Sequence, residues 1–62
     1  MDNVKIRNQI DAAVLDGILQ ISSFFRHNGD DMVYINSDYG ETILFNYSKG
    51  LIISITALNK LV

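Results

Sequence analysis

A chain of 62 residues without a single cysteine has to hold itself together by packing alone. A folded monomer of this mass buries only about 60% of the surface that its unfolded chain exposes. The roughly 3,700 Å² of apolar area it can bury contributes ~90 kcal/mol at about 25 cal/mol per Å², and ordering the chain at ~1.5 kcal/mol per residue costs about as much. Small chains usually add disulfides, a structural metal or a partner subunit. The absence of cysteine removes the first and every thiolate zinc site, and His27 is the sole imidazole available to a metal. Self-association remains, so the chain is expected to work as a homo-oligomer.

Composition points the same way. Apolar residues make up 48% of the chain, and mean hydropathy is +0.17, which is high for a small domain with so much surface to cover. Some of that apolar surface is expected to face another molecule. The net charge is −2, and the basic residues Lys5, Arg7, Arg26, Lys49 and Lys60 are scattered. Phosphate neutralisation needs a clustered basic face, so nucleic acid and anionic membrane surfaces are unsuited partners. Met1-Asp2-Asn3 has no basic leader character, and the longest apolar run, Leu51-Ile52-Ile53, is far short of the ~20 residues that span a bilayer. A cytoplasmic location is the expectation.

With no proline in the chain, glycines and Asn/Asp clusters divide it into four segments. From Asn3 to Arg26, residues Ile6, Ile10, Ala13, Val14, Gly17, Ile21, Phe24 and Phe25 fall within an arc of roughly 100° on a helical wheel. This predicts one long helix, with Asp2 or Asn3 as its N-cap and His27-Asn28-Gly29 as its cationic last turn and left-handed end. Gly17, one turn beyond Ala13 in the stripe, then reads as a point of close backbone approach. Ala12, Leu15 and Leu19 lie across the wheel, where a second subunit would cover them. Three strands follow, over Met32 to Asn36, Glu41 to Tyr47 and Leu51 to Leu58, separated by turns at 36–40 and 48–50. One face of this meander, carrying Val33, Ile35, Ile43, Phe45, Tyr47, Ile53 and Ile55, is expected under the helix. The opposite face holds Tyr34, Leu44, Ile52 and Leu58 among Thr42, Asn46, Ser54 and Thr56.

The expected fold is therefore α+β, a single small domain over residues 1–62. In it an N-terminal helix packs on a three-stranded antiparallel β-meander, and the chain forms a homodimer. Leu15, Leu19, Leu44 and Ile52 are the candidate oligomer contacts.

Little in the sequence carries chemistry. The four glycines are isolated, so no phosphate-binding loop is present. His27 with Asp30, Asp31, Asp38 and Glu41 is the densest polar cluster. If the turn at 36–40 folded over the helix end, these acids could hold a cation or make His27 a general base. The calcium-loop spacing is absent, and a Ser22 or Ser23, His27, Asp30 or Asp31 set is too unspecific to indicate a nucleophile. Capping and turn formation explain the cluster more simply. Tyr39, beside Asn36 and Asp38, is a candidate aromatic anchor, and Arg7 and Arg26 are candidate clamps for an anionic group.

No motif is specific enough to name a family. The favoured reading is a non-catalytic regulator or inhibitor that acts as a homo-oligomer and docks on a larger protein, with no cofactor and no metal. Tyr39, Asn36, Asp38, Arg7, Arg26 and His27 are its candidate binding residues. Two alternatives are a nucleotide-like small-ligand site at subunit interfaces and a minimal enzyme built on His27 with Asp30 or Asp31.

Overall fold

The computed structural model describes residues 4–57. One helix, α1 (Val4–Leu15), precedes four strands, β1 (Leu19–His27), β2 (Asp30–Ser37), β3 (Glu41–Asn46) and β4 (Leu51–Ala57). The strands pair antiparallel in chain order, each with its sequence neighbour, leaving β1 and β4 as the two edges. The class is α+β as expected, but the sheet has four strands instead of three. Of the last predicted strand, Leu58 lies outside the described residues.

The extra strand comes from the second half of the segment expected to be helical, which ends at Leu15 instead of Arg26. Gly17 has φ +79°, the left-handed conformation that favours glycine. Around it, Ile18 N–H bonds to Ala13 O at 3.0 Å and Gly17 N–H to Val14 O at 3.1 Å, the paired bonds of a Schellman motif. Nothing lies within 4 Å of where a Gly17 Cβ would stand, so this glycine is required by its backbone angle and not by close packing. Asn28 and Gly29 likewise do not end a helix. With φ values of 52° and 82°, they form the two-residue turn of the β1–β2 hairpin. Two successive positive φ angles match the right-handed strand twist, which is why Asn-Gly serves this role so often.

Ile6, Ile10, Ala13 and Val14 of α1 pack on a core of Leu19, Val33, Ile35, Ile43 and Phe45. Leu19, expected on an outward helix face, is thus buried in the chain's own core, whereas Leu15 is 87% exposed. The faces of β2 and β3 follow the expected alternation. In β4 the partners of Leu44 and Phe45 are Ser54 and Ile52, so Ile53 is an extra, bulged residue. The bulge corrects the assignment of two residues. Ile52, expected on the open face, sits opposite Phe45 on the helix side, while Ile53 lines a cavity of about 470 Å³ on the open side with Met32 and Leu44.

Both ends of α1 are fastened. Arg7 Nη1 donates to Tyr47 O at 2.8 Å and Ser48 O at 2.9 Å, and its guanidinium lies 5.5 Å from the Tyr47 ring centre. Tyr47 Oη donates to Asp11 Oδ2 at 3.1 Å. Beyond the far end, Asp38 N–H donates to Ile18 O at 3.2 Å. The helix therefore runs from the 47–48 turn toward the 38–40 turn.

Replacing Gly17 by alanine keeps the space but imposes a side chain on a left-handed residue. Gly17→Ala is expected to lower the unfolding free energy by about 1–2 kcal/mol in urea titration. A change within ~0.3 kcal/mol would contradict the role assigned to this angle.

Candidate functional site

Because α1 is only twelve residues long, it covers the middle of the sheet and leaves the inner flank of β1 open. Register places Ile21 opposite Ile35 and Phe24 opposite Val33, with Ser22 bulged between Ile21 and Ser23. Both side chains stand beside the helix instead of beneath it. The result is a groove of about 850 Å³ between α1 and β1. Ile10, Val14 and Leu15 line one wall, Ile21, Phe24 and Phe25 the other, and Val33 and Ile35 contribute to the lining. Phe24 is 75% exposed and Ile21 50%. Asp11, Arg26, Asp31 and Tyr47 supply the polar part of the lining. Arg26 Nη1 lies 3.3 Å from Asp31 Oδ1, and Arg26 also donates to Gly29 O at 2.8 Å. With one guanidinium against the carboxylates of Asp11 and Asp31, the groove's charged edge is net acidic.

The exposed apolar side chains are numerous. Six large hydrophobic residues are buried among those described, and thirteen are exposed, including Leu15, Ile21, Phe24 and four in β4. Isolated surface hydrophobics are ordinary, but contiguous ones mark binding surfaces.

The residues singled out in the sequence divide between the two ends of the sheet. Strand β2 has eight residues, a span of about 25 Å, with the Asn28-Gly29 turn at one end and the 38–40 turn at the other. His27, Asp30, Asp31 and Arg26 are at the first end, and Asn36, Asp38, Tyr39 and Glu41 at the second. The cluster of His27 with Asp38 and Glu41 therefore does not form in this chain, because that turn approaches the end of α1 at Ile18 and not residue 27. Arg7 is also at the first end, so Arg7 and Arg26 are not brought together with Asn36 and Tyr39, as a nucleotide-like pocket in one chain would require.

Local bonds occupy several of these groups. Asn36 Oδ1 accepts from Thr42 Oγ1 at 3.1 Å. Ser37 Oγ accepts from the N–H groups of Tyr39 and Glu41 at 3.1 and 3.2 Å, shaping the turn from which Tyr39 projects at 81% exposure. His27 Nε2 is 3.3 Å from Asn28 Nδ2. The acids nearest to it are engaged elsewhere: Asp31 by Arg26, and Asp30 by Asn46 Nδ2 at 3.0 Å and Lys49 Nζ at 3.6 Å. Buried Asn46 is satisfied on both sides, since its Oδ1 accepts from Lys49 N–H at 2.9 Å. This arrangement fixes the 47–50 turn against the start of β2. Among the described residues, no group of three His, Asp or Glu side chains is placed to hold a metal ion, and no helix is long and apolar enough to cross a membrane.

Two titrating groups are shifted. The Asn46 amide holds the Asp30 carboxyl below its ordinary value, aided by the charges of Lys49 and Arg26 and opposed by partial desolvation. Tyr47 is raised, first by its bond to Asp11, then by burial and the Asp11 charge, against the opposing Arg7 charge.

Groove residues Ile21 and Phe24 were read from the sequence as helix core. The available signal was Asn28-Gly29 between two apolar runs, which marks a hairpin. Comparison of the chain with protein-family models, curated proteins and solved structures gives no match.

The two shifts predict opposite limbs of a stability–pH profile. Asp30, lowered in the folded state, contributes stability above about pH 4 that is lost as pH falls through its folded value. Tyr47, raised in the folded state, contributes stability below about pH 10 that is lost as pH rises through its folded value. Urea midpoints measured across pH should fall less steeply in acid for Asp30→Asn and less steeply in alkali for Tyr47→Phe. Variant limbs parallel to those of the parent chain would contradict these assignments.

Proposed function

We propose that this protein is a small non-catalytic binding module, a regulator or inhibitor that works as a homo-oligomer and docks on a larger protein through the groove between α1 and β1. The observation that carries this reading is the apolar groove itself, whose projecting walls are Leu15 and Phe24. Exposed aromatic and aliphatic anchors around a concavity are the features that dominate interface energetics. The acidic excess at Asp11 and Asp31 favours an apolar partner segment bearing a Lys or Arg. Such a partner would place its cation near these carboxylates and its apolar side chains against Ile21 and Phe24.

A second reading has its own support. A groove of about 850 Å³ lies within the range of small-molecule sites, and its lining favours an apolar ligand over a nucleotide. A mass of a few hundred daltons retained in native mass spectrometry would favour this alternative. The enzyme reading has less support, because Asp30 and Asp31 are engaged away from His27.

A photo-crosslinking residue at Leu15 should capture the partner covalently in the native host. Phe24→Ser should weaken that complex about tenfold or more while leaving the unfolding midpoint nearly unchanged. Equal capture from a residue placed at Tyr39, together with no effect of Phe24→Ser, would remove the groove from the interface. His27→Ala is expected to retain full biological effect.

A further inference from the structure

We propose that the free edge of β4 is the seam at which two copies of this chain join. In this arrangement their β4 strands pair antiparallel about a two-fold axis, forming one continuous eight-stranded sheet. The proposal deepens the homo-oligomer part of the reading above and is independent of what occupies the groove.

The edge itself selects an extended backbone. Among the described residues, strand β4 pairs with β3 on one side only, so its other side presents N–H and C=O groups that another strand can satisfy. All seven residues of Leu51–Ala57 are exposed, and none is charged, proline or glycine. Within Leu51–Ala57 no protective edge charge is present, nor any charge that would select an oppositely charged strand. A two-fold axis makes an uncharged strand complementary to itself and closes the assembly at two copies. Pairing β4 with a partner's β1 would instead leave one free β4 and one free β1, complementary edges that continue into a filament.

The side chains favour a strand join over stacking. Because of the bulge at Ile53, β4 is apolar on both sides, with Ile52 and Ile55 toward the helix face and Ile53 toward the other. Their exposures are 43%, 56% and 52%. Face-to-face stacking would cover one set, whereas an added strand shields both from the side. The other edge is less suited. Strand β1 ends in Arg26 and His27 and borders the groove, whereas β4 carries no charge.

The absence of cysteine allows a direct test on the full chain. Sedimentation equilibrium should show a dimer at micromolar concentration. Ser54→Lys, which puts an ammonium on an exposed edge position, should weaken it about tenfold or more. Ser54→Cys, at the middle of β4 where a two-fold axis sets like residues opposite each other, should give a disulfide-linked dimer under mild oxidation, and Ser23→Cys on β1 should not. If Ser54→Lys fails to fold by circular dichroism, the cysteine variants decide alone. A monomer throughout, an unaltered dimer in folded Ser54→Lys, or crosslinking through Ser23 alone would overturn the proposal. Dimerisation that persists in Phe24→Ser separates this seam from the groove.

Discussion

The left-handed backbone at Gly17 is the constraint on which the architecture depends. It stops α1 after three turns, reverses the chain, and converts Leu19–His27 from a continuation of the helix into the first strand. Leu19 then falls in the core beside Val33 and Ile35, and the β1–β2 hairpin can form. Had the helix continued, the apolar residues of β1 would have projected from its surface and the sheet would have lost an edge strand. The short helix also leaves the inner side of β1 uncovered, so the same angle that creates the strand creates the groove.

How much of this was legible in the sequence depends on whether local period matched local structure. The strands after residue 30 alternate cleanly at Val33, Ile35, Ile43 and Phe45, and their turns carry Gly40 and Gly50 where positive φ is needed. The helix was legible through Ile6, Ile10, Ala13 and Val14. Strand β1 was hidden by its bulge. An extra residue at Ser22 changes the spacing of inward side chains from two, between Leu19 and Ile21, to three, between Ile21 and Phe24. With Phe25 adjacent, the pattern i, i+3, i+4 reproduces a helical stripe. The same device at Ile53 interchanged the faces assigned to Ile52 and Ile53. Periodicity reports structure only while a strand stays regular, and both edge strands here are irregular.

The candidate site was less legible for a related reason. Sequence proximity suggested a polar cluster around His27, but β2 separates its members by the length of the sheet. Charged groups at the hairpin end stabilise turns. Asn46 and Lys49 hold Asp30, Ser48 Oγ accepts from Asp31 N–H at 2.8 Å, and Arg26 closes on Asp31 and Gly29. The recognition potential resides instead in apolar side chains that a helical wheel had assigned to the interior. An aromatic such as Phe24 has a different role once the backbone beneath it changes from helix to strand.

The clasp of Arg7 on Tyr47 and Ser48 has a kinetic consequence. Every strand pairs with its neighbour in sequence through a short turn, so the sheet can assemble by closing small loops in succession. The Arg7 contacts span 40 and 41 residues and bring together segments that only a completed three-strand register places near each other. Long-range closure is the slowest element of such a topology. Docking of the helix is accordingly the event that reports a finished β1–β2–β3 register, and its clasp ties those local hairpins into one cooperative unit.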